Sequence, residues 1–428
     1  MSGPPGGVAA AAAWRARLAR RAATSFPSLR HRDFTLLWIG QLLSSSGSRM
    51  QTAAVLWHVS LLAAPGAKGL ALGLVGASQV VPIIAFSILS GVVADALDRR
   101  KVMLVTQSTM AVLAAGLAGL TFGGLRTVWP IYLLAALSSG AASFDGPARQ
   151  ALIPNLVPRE DLANALGLNT LMFQIAAVAG PSLAGLAIAT AGIGWVYAVN
   201  AVSFLAVIAA LLVMRARPRS EEGAPARLTW AAAREGFRFV FAQPIVRSTM
   251  LLDFVATFFA SATALLPIFA QDILNVGARG YGWLYAAPSV GAVLAGLWMA
   301  YRVDRIERRG AVLLWAVAAY GAATLVFGFS QSFWLTLVCL AAVGAADTIS
   351  TVIRNIVRQL ETPDHLRGRM TGVNMIFFMG GPQLGELEAG VAAQLFGAVA
   401  SVVSGGVGCL AATGVVSWRE VQLRRYRR

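Results

Sequence analysis

Long apolar runs alternate with short clusters of charge, Gly and Pro along the whole chain. Breaking at those clusters leaves twelve apolar segments: 34–63, 69–97, 101–123, 127–149, 164–190, 194–214, 246–275, 279–302, 311–330, 332–357, 369–396 and 398–418. A helix needs ~20 apolar residues, rising ~1.5 Å each, to cross the hydrocarbon of a bilayer. Every segment meets that length, and the longer ones have room to tilt. The pattern predicts an all-α membrane protein with twelve transmembrane helices, six in a bundle over 33–214 and six in a bundle over 246–418. What remains is a basic tail over 1–32, expected to be disordered and cytoplasmic, a cytoplasmic linker over 215–245, and a second basic tail over 419–428. Within the linker, Trp230, Phe237 and Phe241 share one helical face between arginines. That stretch is either an amphipathic helix on the inner leaflet or a plain connection.

Composition agrees with lipid as the solvent. The 428 residues are 57% hydrophobic and 13% charged, with a mean hydropathy of +0.67. A soluble protein carries about a quarter charged residues, so a cytosolic enzyme is excluded. The net charge of +16 would suggest nucleic acid in a soluble protein, but its placement argues otherwise. With both termini inside, 31 of the 35 Lys and Arg fall on inner segments; Lys68, Arg126 and Arg279 fall outside, and Arg49 alone lies within a span. This is the positive-inside distribution. The basic charge orients the chain and faces anionic phospholipids of the inner leaflet; no nucleic-acid partner is expected. Arg354 and Arg358 are counted here with the inner loop after the tenth span.

The N-terminus does not read as a signal peptide, because Val8–Trp14 precedes the arginines rather than following them. Cys339 and Cys409 both lie in apolar stretches, and no Cys/His cluster suggests a metal. No HExxH, nucleophile elbow or phosphate loop is present. Neither a cofactor, a metal nor a catalytic activity is expected.

The chain also repeats itself. Gly91-Val-Val-Ala-Asp95-Ala-Leu-Asp98-Arg99-Arg100, after the second span, matches the acid–acid–Arg–Arg spacing of Asp304-Arg-Ile-Glu307-Arg308-Arg309, after the eighth. Arg149-Gln150 and Pro158 recur as Arg354-Asn355 and Pro363, and Gly180-Pro181 recurs as Gly381-Pro382. Three matches in the same order predict two pseudo-symmetric six-helix halves, the plan of a secondary transporter working around a midplane site. Pro82, Pro181, Pro288 and Pro382 sit inside the second and fifth span of each half. Proline frees a carbonyl and bends a helix. These helices are either a sliding seam between the halves or simply closely packed.

The twelve-span plan and the Gly91–Arg100 loop resemble the major facilitator superfamily, with departures from its signature at Val93, Ala96 and Asp98. Asp98, Ala148-Arg149-Gln150, Gly236-Phe-Arg238-Phe and Gly282-Trp-Leu-Tyr-Ala-Ala-Pro288 resemble the enterobactin-exporter and macrolide-efflux branch. The resemblance implies a bacterial inner-membrane protein acting as a monomer. It implies that Asp95 contacts Arg100 as a gating latch, with Asp304 and Arg308 as a second copy. It also implies that the first and fourth span of each half line the cavity. Gly167, Gly180, Pro181 and Gly185 resemble the antiporter motif, which favours export.

Charges within spans cost ~2.5–3.5 kcal/mol each and call for a function or a partner. Arg49 lies ~22 Å along the first span and Glu386 ~24 Å along the eleventh, so the two reach similar depth. They form either a charge pair or a shared polar cavity, with Glu388 on another face of its helix. Asp253 and Asp347 are further candidates to carry a proton. Asp145 and Arg149, four apart, read as a rim pair. Gln41, His58, Gln174, Asn374 and Phe258 are candidates for the cavity wall, and His58 is expected to be solvated at the outer interface. The function expected is proton-coupled export of an amphipathic small molecule such as a siderophore or antibiotic. The alternatives are a cation-coupled importer and a non-transporting sensor.

Overall fold

The computed structural model describes residues 26–64, 66–215, 230–363 and 366–427. The N-terminal tail up to residue 25 and the linker over 216–229 lie outside the described residues. Twelve long helices are present: α1 Arg32–Leu62, α2 Lys68–Ala96, α3 Arg99–Phe122, α4 Trp129–Leu152, α5 Leu162–Thr190, α6 Ile193–Val213, α8 Pro244–Phe259, α9 Gly277–Arg302, α10 Arg309–Phe329, α11 Phe333–Glu361, α12 Arg367–Phe396 and α13 Ala398–Arg419. A shorter α7, Trp230–Ala242, precedes the second half, and α14, Val421–Arg424, closes the chain. Phe237 and Phe241 of α7 stack on each other at 6.4 Å and are exposed, the apolar face an interfacial helix requires.

Nine stretches among the described residues are long and apolar enough to cross a membrane. α1, α4 and α12 fall short of that measure because they carry the polar residues of the interior, including Arg49, Asp145 and Glu386. Exposed tryptophans gird both ends of the bundle. Trp129, Trp195 and Trp334 open helices at one end, and Trp418 closes α13 at the other, as interfacial aromatics do.

The seventh span does not run as one continuous helix. α8 stops at Phe259, and the chain reaches Ile273 through a 3-10 turn, a short helical turn and a π-turn. Pro267 cannot donate to residue 263 and its ring crowds that carbonyl. The interruption frees the Ala260 carbonyl, which accepts from the Tyr320 hydroxyl at 3.3 Å. One other expectation is corrected: within the tail, Pro27–Arg30 forms a turn whose Ser28 is buried and bonded to Asp161 and Asn164. In the C-terminal stretch Leu423 is buried.

Each half has the same adjacency. α1 packs on α5 and α6 as α8 packs on α12 and α13; α3 packs on α4 and α6 as α10 packs on α11 and α13; α2 packs on α4 as α9 packs on α11. The corresponding glycines Gly192 and Gly397, with φ of 96° and 89°, make the turns into α6 and α13, a conformation open to Gly at little steric cost. Across the halves, α2 meets α12 and α5 meets α9.

These cross-half contacts are unevenly distributed. At the end far from the arginine clusters, one hydrophobic core draws on both halves, with Trp57 and Leu72 against Phe269 and Tyr281. There Lys68 pairs with Asp272 at 2.9 Å, Gln271 donates to Ser60 at 2.7 Å, and the Tyr281 hydroxyl donates to the Ala53 carbonyl at 2.8 Å. At the basic end, the clusters around Phe34 and Met103 and around Leu313 and Ile353 each stay within one half. Among the described residues, the halves join at the far end.

Candidate functional site

Glycine sets how closely the helices of the interior approach. Gly180 of α5 lies against Arg49 and the Ser46 carbonyl of α1, and Gly381 of α12 lies against Thr257 of α8. The two Gly-Pro steps therefore do the same thing in each half. The residue after each also takes part: the Pro181 carbonyl faces Gly282 of α9, and the Pro382 carbonyl accepts from Ser261 at 3.1 Å.

In the first half, Arg149 of α4 is inserted into the bundle. Its Nη1 donates to Gln41 Oε1 on α1 at 3.3 Å, and its guanidinium sits 4.5 Å over the Phe173 ring. Asp145 is buried and accepts from Thr106 at 3.1 Å and from Gln107 at 2.9 Å on α3. The expected i,i+4 ion pair between Asp145 and Arg149 does not form, because the carboxylate is already satisfied by its neighbours on α3. Gln174 is half-buried beside Phe173.

The second half repeats the relation with charge added. Arg354 Nη1 of α11 lies 2.8 Å from Asp253 Oδ1 on α8, and both residues are almost fully buried. Its Nη2 lies 3.7 Å from Asp347 Oδ1 and donates to Thr351 at 2.7 Å. Placing Arg354 in a loop is therefore corrected: α11 runs on to Glu361 and carries it inside. Arg358 is likewise buried, bonded to Asn355 at 2.6 Å and to Asn374 of α12. The sequence held a signal for this. Asp347, Arg354 and Arg358 recur at spacings of seven and four, which is one face of a helix.

Glu386 and Glu388 part company. Glu386 Oε2 abuts Gly76 in the α2–α12 seam. The Tyr285 hydroxyl of α9 lies within electrostatic reach of both Glu386 and Arg49. Among the described residues no ion pair joins Arg49 to Glu386, so the two charges share a region without touching. Glu388 instead lines an apolar groove of about 450 Å³ with Phe258, whose ring stacks on Phe254 at 5.7 Å. His58 is not solvated. It is buried, and its Nδ1 is 3.2 Å from the Tyr197 hydroxyl.

The loop after α2 is partly described. The side chains of Gly91 and Asp95 lie outside the described residues. Asp98 caps α3 by accepting from the Arg100 backbone N–H at 2.9 Å. Arg99 donates to the Ala151 carbonyl at 3.0 Å and Arg100 to the Leu212 carbonyl at 3.2 Å. Both arginines thus satisfy the open C-terminal ends of α4 and α6, where a cation is favoured. Asp304 and Arg308 are exposed at the matching loop. No cluster able to hold a metal occurs among the described residues.

Two like halves, each with a polar link between its first and fourth helix, define a membrane transporter of the major facilitator fold. The chain belongs to the transmembrane secretion effectors, whose family model matches residues 23–426. It is 29% identical over 362 residues to the enterobactin exporter EntS of Shigella boydii serotype 18, covering 84% of each chain. In fold it is similar to a bacterial homologue of the iron transporter ferroportin in the inward-facing state, with a TM-score of 0.71, 17% identity and coverage of 92% and 99%. It is also similar to a variant of the nucleoside transporter NupG, with a TM-score of 0.72, 12% identity and coverage of 91% and 99%.

Proposed function

We propose that this protein exports an amphipathic small molecule of the siderophore class across the bacterial inner membrane, in exchange for protons and by alternating access. One observation carries this reading. The described contacts between the halves gather at the far end, and the Glu386 carboxylate lies inside that contact zone. A group there changes surroundings whenever the seam opens, which is what an exchanged proton requires. Family membership and the similarity to the enterobactin exporter favour export of a siderophore. With both tails on the cytoplasmic side, the end away from the described contacts between the halves faces the cytoplasm, where an exporter loads. The substrate reaches the interior between the halves, where Gln41, Arg149 and Phe173 meet it from one side and the Asp253–Arg354–Asp347 group from the other.

The test is uptake of enterobactin into inside-out vesicles with an acid interior. Uptake should require the chain, stop when a proton ionophore collapses the gradient, and fall sharply in Glu386→Gln. Uptake indifferent to the gradient would remove proton exchange, and absence of uptake would remove export of this ligand class.

A further inference from the structure

The second half contains a cavity of about 200 Å³ between α8, α10 and α11, with Asp347 on its wall. That volume is below the ~300 Å³ at which pockets for drug-sized ligands begin. It suits an ion rather than a siderophore.

The wall is built from acceptors. Thr257, Ser261, Tyr320 and Thr324 all line it. Each has committed its hydroxyl hydrogen to a backbone carbonyl: Thr257 to Asp253 at 2.8 Å, Ser261 to Pro382 at 3.1 Å, Tyr320 to Ala260 at 3.3 Å and Thr324 to Tyr320 at 3.0 Å. A hydroxyl that has spent its donor still offers lone pairs. Four such oxygens and a carboxylate face the space, together with the Thr263 side chain.

The charges are also unequal. Asp253 and Asp347 share one guanidinium, that of Arg354, which sits at 2.8 Å from the first and 3.7 Å from the second. Asp253 has 4% of its side chain exposed, and Asp347, which lines the cavity, has 47%. Arg358 lies one turn nearer the basic end and is engaged by Asn355 and Asn374. From α10, Tyr320 is the ionisable neighbour, with Cys409 of α13 behind it; α9 and α12 contribute Pro288 and Pro382 to the wall. Asp347 is thus the less closely compensated of the two acids, and it is the one on the cavity wall.

We propose that this cavity binds a single monovalent cation beside Asp347, either a proton carried on the carboxylate or a sodium ion held by the surrounding oxygens. The proposal rests on the transport reading and deepens it: besides the Glu386 carboxylate in the seam, the second half has a cation site of its own. Its occupancy bears on the seam, because Pro288 and Pro382, in the two seam helices of this half, form part of the wall.

The test uses purified full-length protein in nanodiscs, without substrate. Radioactive sodium binding is measured at mildly alkaline and mildly acid pH, and proton uptake across the same range is measured by titration in weak buffer. Wild type should hold one sodium ion, displaced by acid, or else take up one proton more than the variants. Asp347→Asn should lower either signal by roughly tenfold or more. Asp253→Asn, which does not line the cavity, should do the same, because Arg354 is then free to neutralise Asp347. A signal that survives Asp347→Asn, or one untouched by Asp253→Asn, overturns the proposal, as does the absence of both signals in wild type. Cation binding retained in a protein that does not export would leave this site standing and remove only the transport reading.

Discussion

Arg354 meets Asp253 across α8 and α11 at 2.8 Å, and Arg149 meets Gln41 across α1 and α4 at 3.3 Å. The two arginines occupy matched places in the two halves, yet one is given a carboxylate and the other an amide. The first half therefore holds a half-buried cation against an amide and over the face of Phe173, with the Asp145 carboxylate one turn away turned to α3. The second half holds its arginine between two acids. Duplication supplied the geometry, and the two halves diverged at the arginine's partner.

Removing one member of a buried pair leaves the other uncompensated. Arg354→Leu is expected to cost about 3–5 kcal/mol and to lower the thermal midpoint measured in detergent. Adding Asp253→Leu and Asp347→Leu should recover most of that loss, because the group is then replaced by apolar surface of the kind around it. Arg354→Leu at wild-type stability would show that the two acids do not depend on it.

The twelve spans and their order were legible because lipid imposes length and apolarity on every crossing. The paired Gly-Pro steps were legible because duplication preserved their spacing. Partners were harder to read. Whether Asp145 turns to Arg149 or to Thr106 depends on which way α3 faces, and spacing along α4 holds no information about that. The burial of Arg354 and Arg358 was hidden because positive-inside counting treats any arginine near a helix end as exposed. The break after Phe259 was hidden because the freed Ala260 carbonyl is satisfied by Tyr320, sixty residues away.

Gly390 of α12 lies against Gly73 of α2, and a Cβ there would come within 2.5 Å of the Gly73 Cα. Gly390→Val must push the seam apart, since backbone cannot yield as a side-chain tip can. Transport is expected to fall about tenfold or more, with the far end no longer closing. Gly116→Ala meets nothing within 4 Å and should stay within about 1 kcal/mol of wild type. Equal transport by the two variants in proteoliposomes would argue against a tight α2–α12 contact.

The C-terminal stretch staples the basic end of the second half. Glu420 pairs with Arg247 at 3.3 Å, the Tyr426 carbonyl accepts from the Gly310 N–H at 3.2 Å, and the Tyr426 hydroxyl donates to Glu361 at 2.9 Å. Burial, together with that bond to Glu361, pushes the Tyr426 phenol up to about 12 from an ordinary value near 10. A raised folded value means that the neutral form is favoured in the docked state. The contribution is complete below pH 10 and is lost as pH rises through 12. Hydrogen exchange at Gly310 should therefore stay slow at neutral pH and quicken over that alkaline window. In Tyr426→Phe the window should vanish, and in Leu423→Asp exchange should be fast throughout.

Lys68 and Asp272 offer a handle on the far end. Their ion pair at 2.9 Å bridges the two halves and is partly exposed, so it contributes only about 0–1 kcal/mol. Lys68→Cys with Asp272→Cys should therefore transport nearly as well as wild type. A short bis-methanethiosulfonate, which forms a mixed disulfide with each cysteine and releases sulfinate, should then tie the halves together in the closed arrangement, and a reductant should cleave it. Cys339 and Cys409 are buried and leave little background. If transport depends on parting the far end, the linked protein should lose it by roughly tenfold or more, and cleaving the linker should restore it. The singly substituted proteins treated with the same reagent provide the control, since modification alone cannot span the seam. Undiminished transport by the linked protein would mean that substrate leaves by a path that does not open between α2 and the segment after α8.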